Sequence, residues 1–384
     1  MCGIFLLLNK INIKELKKNF KMSDFYLSDC ESLKHTEIKG WDIQTNKLME
    51  INEQTLERIL KHIKNRGPSS QLFFTANYSK NNKLEIIDED IFIKKVLLSD
   101  FDIAGLSSVL AIRLLAHKKI QEQPINEQDS DSFFMLNGEL WELNSEYKRY
   151  IEEIYKITDK NFANKISSML ENFDFSDSDS KQLFDIFILI TKIEKYDSNV
   201  IQFLLKNILK CFEGEYAICF YNADTETLFL GKDYFGKKSL LLTCMNEKII
   251  FHSNSIHLKI GDISDIDKPT NLMDKKYLLY YNSMMEKVSY ELPANSFLSL
   301  NIKDKNFNYH KLFDDRIDVN NITKLSDSFE CVNENVISLL SKSVLCMIHD
   351  RNIVEEPIGI LFSGGIDSSL IAYYTLKHAN KNIM

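Results

Sequence analysis

The chain opens Met1-Cys2-Gly3 and passes directly into Ile4-Phe5-Leu6-Leu7-Leu8. Five apolar residues in a row, closed by Asn9-Lys10, fit a short strand over Gly3–Leu8 buried on both faces. They are too few for a signal peptide or a membrane span. A strand that begins at residue 3 fixes the terminus inside a sheet, so Cys2 is held rather than loose. Cys2 is small enough for Met1 to be removed, which would make it the true N-terminus. A terminal cysteine carries thiol and amine on one residue, and an α-amine with a pKa of about 7.7–8.0 can act as its own base near neutral pH. Attack of such a thiolate on an amide carbon gives an oxyanion and then a thioester. Read alone, Cys2 is more often a small buried hydrophobe than a nucleophile.

The rest of the chain divides by pattern. With 384 residues, two to three domains at about 150 residues each are expected. Residues 10–54 are polar and weakly periodic and read as a surface insertion. Leu56, Ile59, Leu60 and Ile63 share one helical face, and Arg66-Gly67-Pro68 must end that helix. Short strands are expected over Gln71–Ala76, Ser108–Leu115 and Phe133–Leu136, and helices over Tyr147–Tyr155 and Lys181–Lys195. More strands follow over Tyr216–Tyr221, Thr227–Gly231, Ser239–Thr243, Ile249–His252 and Phe297–Ile302. The tail changes character: an amphipathic helix over Ser326–Ile348, an apolar strand over Ile358–Phe362, a Gly-containing loop, and a helix over Leu370–His378. Strand, loop and helix in that order open a parallel α/β domain, which the residues up to Met384 do not complete.

Composition excludes several classes. A net charge of −8 without a basic stripe argues against nucleic acid. The longest apolar runs are far short of a membrane helix, so no membrane partner is expected. The 7 cysteines are scattered, with no CxxC pair. They give no metal site and fit reduced thiols in a cytoplasmic setting.

Four further features could carry chemistry. Asn137-Gly138-Glu139 follows the strand Phe133–Leu136, and the Asn137 amide plus the Gly138 N–H could supply two oxyanion donors; an ordinary Asn-Gly turn is the other reading. Arg113 stands in the apolar run Val109–Leu115 and needs an anionic partner, either a substrate carboxylate or an internal carboxylate, unless it points to water from an edge strand. Asp179 could take a substrate amine or cap the helix that follows. Ser363-Gly364-Gly365-Ile366-Asp367-Ser368-Ser369 lies between an apolar strand and a helix. Its glycines, hydroxyls and helix N-terminus suit a phosphate or pyrophosphate, although it is not a GxxxxGK[ST] loop.

These motifs, together with Gly231-Lys232-Asp233-Tyr234-Phe235-Gly236 and in this order, resemble glutamine-dependent asparagine synthetase. The resemblance is strongest to the asparagine synthetase domain-containing protein 1 group, whose pattern Arg66–Leu72 and Phe235–Leu241 follow. It implies an α+β chain: an N-terminal Ntn-hydrolase αββα sandwich over 2–305 with the insertion near 10–54, a linker over 306–325, and over 326–384 the truncated start of an α/β ATP-pyrophosphatase (adenine nucleotide α-hydrolase-like) domain. It implies glutamine hydrolysis at Cys2, with Asn137 and Gly138 as the oxyanion hole and with Arg113, Glu139 and Asp179 contacting glutamine. Ser363, Gly364, Gly365, Asp367 and Ser368 would line a pyrophosphate site. ATP and Mg2+ would serve the synthetase part and no cofactor the glutaminase part. The substrates implied are glutamine, aspartate and ATP, the product is asparagine, and a homodimer is compatible with the family. The pattern departs from typical synthetases at Asn65, Ser69 and Ser239, where they have His, Asp and Pro. An amidotransferase-like binding or regulatory module is the alternative function. Asp233 and Gly236 read as a structural turn, with the Asp233 side chain capping backbone N–H groups.

Overall fold

The structure is a computed structural model that describes residues 2–9, 53–77, 82–109, 121–126, 131–175, 177–193, 197–245, 248–253, 289–304, 306–313, 329–349 and 359–378. In chain order, β1 (Gly3–Leu8) precedes α1 (Glu53–Lys64), β2 (Ser70–Asn77), β3 (Asn82–Ile87), α2 (Glu89–Leu97), β4 (Ile103–Val109), β5 (Ile125–Asn126) and β6 (Phe133–Leu143). Four helices come next: α3 (Tyr147–Ile157), α4 (Lys160–Glu171), α5 (Asp179–Thr191) and α6 (Ser198–Lys210). The strands resume with β7 (Phe212–Asn222), β8 (Thr227–Lys232), β9 (Leu241–Met245), β10 (Lys248–His252), β11 (Ser289–Glu291), β12 (Ser296–Asn301) and β13 (Asn306–Lys311). Two helices, α7 (Phe329–His349) and α8 (Ile366–His378), complete the described chain.

The strands form two antiparallel sheets. One has seven strands in the order β11-β9-β10-β1-β4-β2-β3, and the other six in the order β13-β12-β8-β7-β6-β5. Side-chain alternation along each strand sorts the core into three layers. Phe5 and Leu7 of β1 pack on Leu56, Ile59, Leu60 and Ile63 of α1 and on Phe92 and Val96 of α2. Ile4, Leu6 and Leu8 point the other way, into a core shared with Phe133, Met135, Cys219, Leu230 and Leu298 of the second sheet. That sheet turns Phe134, Ile218, Phe220 and Phe297 outward against Phe184, Phe187 and Leu205. The result is the expected helix–sheet–sheet–helix sandwich. β1 is central in its sheet and buried along its whole length, as the unbroken apolar run requires. Each such side chain contributes about 1.5–3 kcal/mol on full burial.

Several expectations are corrected. β6 does not stop at Leu136 but runs to Leu143, so Asn137-Gly138-Glu139 lies within a strand and no Asn-Gly turn forms there. The helix at Asp179 is capped by Ser178, whose side chain accepts from Lys181 N; Asp179 is its first helical residue. The second sheet extends through β13, beyond residue 305, and Leu312 is buried in the same core, so the expected linker begins as an edge strand. No strand forms over 359–362, and Leu361 is fully in solvent, at 98% exposure. An apolar strand needs neighbours on both edges and both faces, and among the described residues 359–362 pair with no strand. The segment 10–52, most of the expected insertion, lies outside the described residues, as do Val109's successors 110–120 and with them Arg113.

Candidate active site

Strand phase puts the nucleophile candidate and the oxyanion candidate in one layer. On β1 the even residues Ile4, Leu6 and Leu8 face the inter-sheet core, and one further step in that phase is Cys2, which is half-buried. On β6 the odd residues Phe133 and Met135 face the same core, and the next in phase is Asn137. Asn137 is completely buried. Its partners along the sheet are Ala217 and, one strand further, Lys232. Neither Oδ1 nor Nδ2 of Asn137 has a hydrogen-bond partner among the described residues. A buried amide left unpaired costs about 1–3 kcal/mol at each end, so its retention calls for an explanation outside the fold's own hydrogen bonding.

Gly138 explains why the next residue is glycine. Its φ is +144°, far from the roughly −140° of an antiparallel strand. A Cβ there would lie 1.9 Å from the carbonyl oxygen of Glu215. Only glycine fits this kink, which comes directly after Asn137. Glu139 is half-buried in the same phase as Asn137. Asp179 approaches from the helix layer: its Oδ2 accepts the Leu140 N–H at 3.0 Å and its Oδ1 the Ser180 N–H at 2.7 Å. The structure therefore brings Asn137, Gly138, Glu139 and Asp179 to one stretch of β6, with Cys2 in the facing sheet.

Around Cys2 three chain segments converge, and two glycines allow it. A Cβ on Gly3 would meet Ser108 Oγ at 2.5 Å and the Ile63 carbonyl at 2.7 Å; one on Gly67 would meet the Ser108 carbonyl carbon at 2.3 Å. Ser108 Oγ donates to the Ile63 carbonyl at 2.6 Å and ties the end of α1 to β4. This close approach lets Arg66, just past α1, donate its Nε–H to the carbonyl of Cys2 at 3.2 Å. Burial lowers the Arg66 pKa, and the neighbouring Cys2 opposes that shift. Arg66 reads from sequence as part of a helix-ending motif and of the family pattern, not as a contact to Cys2; the signal missed was a cation placed at the helix break. The other described thiols are unsuited to nucleophilic work. Cys211 is buried, its pKa pushed up to about 12 mainly by desolvation, and burial raises Cys219 further still.

The turn after β8 braces the same end. Asp233 Oδ2 accepts the Tyr216 N–H, while Oδ1 accepts the N–H groups of Phe235 and Lys237. Gly236 adopts φ +64°. Asp233 and Gly236 are thus structural, as expected.

The Ser-Gly-Gly loop is a separate place. Ser363, Gly364, Gly365 and Asp367 are exposed at the start of α8. Gly364 has φ +78°, and nothing lies within 4 Å of where its Cβ would be. Ser363 Oγ and Ser368 Oγ are 3.1 Å apart, and Ser368 Oγ donates to the Gly365 carbonyl. Open glycines, paired hydroxyls and a helix N-terminus fit a phosphate group. Among the described residues no group of three His, Cys, Asp or Glu could hold a metal ion. No described helix is long and apolar enough to cross a membrane.

Comparison with known proteins now defines the class. Residues 189–259 match the family model described as glutamine amidotransferase domain. The chain is 27% identical over 275 residues to an asparagine synthetase domain-containing protein of Saccharomyces cerevisiae, a match covering 71% of this chain and 39% of that one. It therefore spans about two-fifths of the length of that curated relative. Two solved structures are similar at low level. The allosteric regulatory enzyme of purine biosynthesis has TM-score 0.41 and 12% identity, over 82% of this chain and 50% of that one. The B. subtilis glutamine phosphoribosylpyrophosphate amidotransferase has TM-score 0.38 and 11% identity, over 100% and 65%. The stretch 189–259 is thus similar to a glutamine amidotransferase domain. The similarity to an asparagine synthetase domain-containing protein extends beyond that stretch.

Proposed function

We propose that this chain hydrolyses glutamine at Cys2 and supplies the ammonia to an amidation. The observation that carries the reading is the buried Asn137 amide, unpaired at both ends among the described residues and in the same inter-sheet layer as Cys2. A charge that exists only during the reaction accounts for a donor that the resting fold leaves unused. With Met1 removed, the Cys2 amine takes the thiol proton and the sulfur attacks the glutamine amide carbon. Asn137 Nδ2–H and the Gly138 N–H receive the oxyanion. The C–N bond then breaks, the proton passes to the departing ammonia, and a thioester remains on Cys2. Water attacks that thioester and releases glutamate. Arg66 holds the Cys2 carbonyl, so the thiol and amine keep a fixed orientation. Glu139, Asp179 and Arg113 are proposed to bind the glutamine amine and carboxylate.

The acceptor is proposed to be aspartate, activated with ATP, giving asparagine. Support comes from the relative's description as an asparagine synthetase domain-containing protein and from the fit of the Ser363–Ser369 loop to phosphate. When bound there, ATP would supply the activation of a carboxylate; Ser363, Gly364, Gly365, Asp367 and Ser368 would hold its phosphates, with Mg2+ bound alongside. A cytoplasmic setting is part of the same proposal.

The test is glutamate release from glutamine by protein with an authentic Cys2 terminus. Release that disappears in Cys2→Ala is expected. Folded wild-type protein, shown by intact mass to lack Met1, that releases no glutamate would overturn the reading and favour a binding or regulatory module.

A further inference from the structure

A second polar side chain in the inter-sheet core is left without a partner at the Cys2 end. Ser107 on β4 is 1% exposed, and its Oγ makes no hydrogen bond among the described residues. Strand phase decides which way it faces. Ala104 and Leu106 point into the helix-side core with α1, and Ile103 points into the inter-sheet core. Ser107 shares the phase of Ile103. Across the ladder it stands opposite Ile4, whose side chain lies in that same inter-sheet core. Its neighbour Ser108 shows the contrast: that hydroxyl faces α1 and is satisfied by the Ile63 carbonyl.

Ser107 and Asn137 lie at the same end of the sandwich. Phe133 of β6 packs its ring on Phe74 of β2 with 5.0 Å between centroids, and Phe74 is level with Gly105 and Leu6. Asp131, just before β6, accepts the Leu84 N–H at 3.1 Å, and Leu84 lies on the Leu8 side of Phe74. From Asp131 to Asn137, β6 therefore runs toward the Cys2 end. A third tie agrees. The Leu136 N–H donates to Gln123 Oε1 at 2.7 Å, and the adjacent Glu122 accepts from Ser70 Oγ at 3.1 Å. Ser70 is level with Val109, one place past the Gly3–Ser108 pair, and that is the level of Cys2. Ser107 is one step inward, a diagonal cross-strand neighbour of Cys2 at about 7 Å.

We infer that Ser107 is a further substrate-contacting residue that recognises the nitrogen of the carboxamide, an inference that rests on the glutaminase reading. A carboxamide has two ends of opposite character: its oxygen accepts and its NH2 donates. The Asn137 Nδ2–H and the Gly138 N–H take the oxygen, and those two donors cannot also accept from the nitrogen. A hydroxyl can, because its lone pairs accept while its proton rotates aside. The spacing between Cys2 and Ser107 seats one amide group, with its carbon at the thiol and its nitrogen at the hydroxyl. The two sheets thus face the two ends of the amide, β6 the oxygen and β4 the nitrogen. Ser107 thereby favours an amide over an ester, in which a weakly accepting alkoxy oxygen replaces both N–H donors.

The experiment uses the full chain with an authentic Cys2 terminus. It measures kcat/KM for glutamine and for glutamate γ-methyl ester in wild type, Ser107→Ala and Ser107→Thr, with chemical denaturation alongside. Ser107→Ala is expected to lower kcat/KM for glutamine about tenfold and to leave the ester within about twofold, so the amide-to-ester ratio falls about tenfold. Ser107→Thr keeps the hydroxyl and should keep the ratio, whatever happens to the absolute rates. The denaturation midpoint of Ser107→Ala should not fall, because no hydrogen bond among the described residues is lost. An unchanged ratio in Ser107→Ala, or a ratio lost equally in Ser107→Thr, would overturn the assignment and leave the glutaminase reading standing. Equal losses on both substrates with a lowered midpoint would make Ser107 structural and overturn it as well. Folded wild-type protein that turns over neither substrate would overturn the glutaminase reading, and the assignment with it.

Discussion

The Cys2–Asn137 end of the sandwich and the Ser363–Ser369 loop are both places where chemistry was expected, yet they are built in opposite ways. At the first, strands of both sheets flank one inter-sheet core, glycines are forced by contact, and a buried amide is held without a partner among the described residues. At the second, Gly364 stands in open space, hydroxyls bond within their own turn, and apolar residues such as Leu361 and Ile366 face solvent at 98% and 77% exposure. α7 and α8 pack on each other, with Ser341 Oγ 2.7 Å from His378 Nε2, but they build no sheet over the described residues. The contrast teaches that one site is preorganised by the fold around it, whereas the other has the local chemistry of its loop alone.

Glycine substitutions should show this contrast most strongly. Gly138→Ala sets a Cβ against a backbone oxygen at 1.9 Å and keeps a dihedral foreign to side chains. Chemical denaturation should show a loss of about 3 kcal/mol or more, at the upper end for single changes. Gly364→Ala, in open space at φ +78°, should cost about 1–2 kcal/mol from the dihedral alone. Equal losses would break the comparison.

Asn137→Ala separates function from stability. Glutamate release should fall about 10²–10³-fold, while stability changes by about 1 kcal/mol or less, because no hydrogen bond among the described residues is lost and an unsatisfied buried amide is removed. Ser363→Ala should leave glutamate release unchanged. A large stability loss in Asn137→Ala would mean that the amide has a structural partner after all.

Arg66→Lys sharpens the account of the Cys2 end. It keeps a charge but loses the Nε donor to the Cys2 carbonyl, and the two cations are not interchangeable at such a site. A fall in kcat of about tenfold is expected, with KM little changed. The smallest effect is expected at Leu361→Ser. With that side chain already in solvent, stability should move by less than about 0.5 kcal/mol.

What could be read in advance follows the same division. β1 and α1 were legible because their apolar residues are uninterrupted or strictly periodic, and local pattern coincides with burial there. α6 was not foreseen, although Ile201, Leu204, Leu205 and Ile208 carry a helical stripe, because its apolar content also suits a strand before β7. The continuation of β6 through Asn137-Gly138-Glu139 was hidden, since Asn-Gly ordinarily signals a turn; the long-range pairing with β7 holds that stretch extended. Arg66 at Cys2 and the Ser253 hydroxyl at Ile4 join residues 64 and 249 positions apart, a closeness that local pattern does not encode. The expected strand is absent over 359–362 for the reverse reason: its local pattern is apolar, but a strand exists only where a sheet receives it.

The most direct measurement is peptide mapping after incubation with an electrophilic glutamine analogue at pH 8, on folded protein whose intact mass shows that Met1 has been removed. The account predicts modification at Cys2 that glutamine competes away and that Asn137→Ala slows, with Cys211 and Cys219 untouched because burial keeps them as thiols. An unmodified Cys2, or labelling that glutamine does not protect, would contradict it.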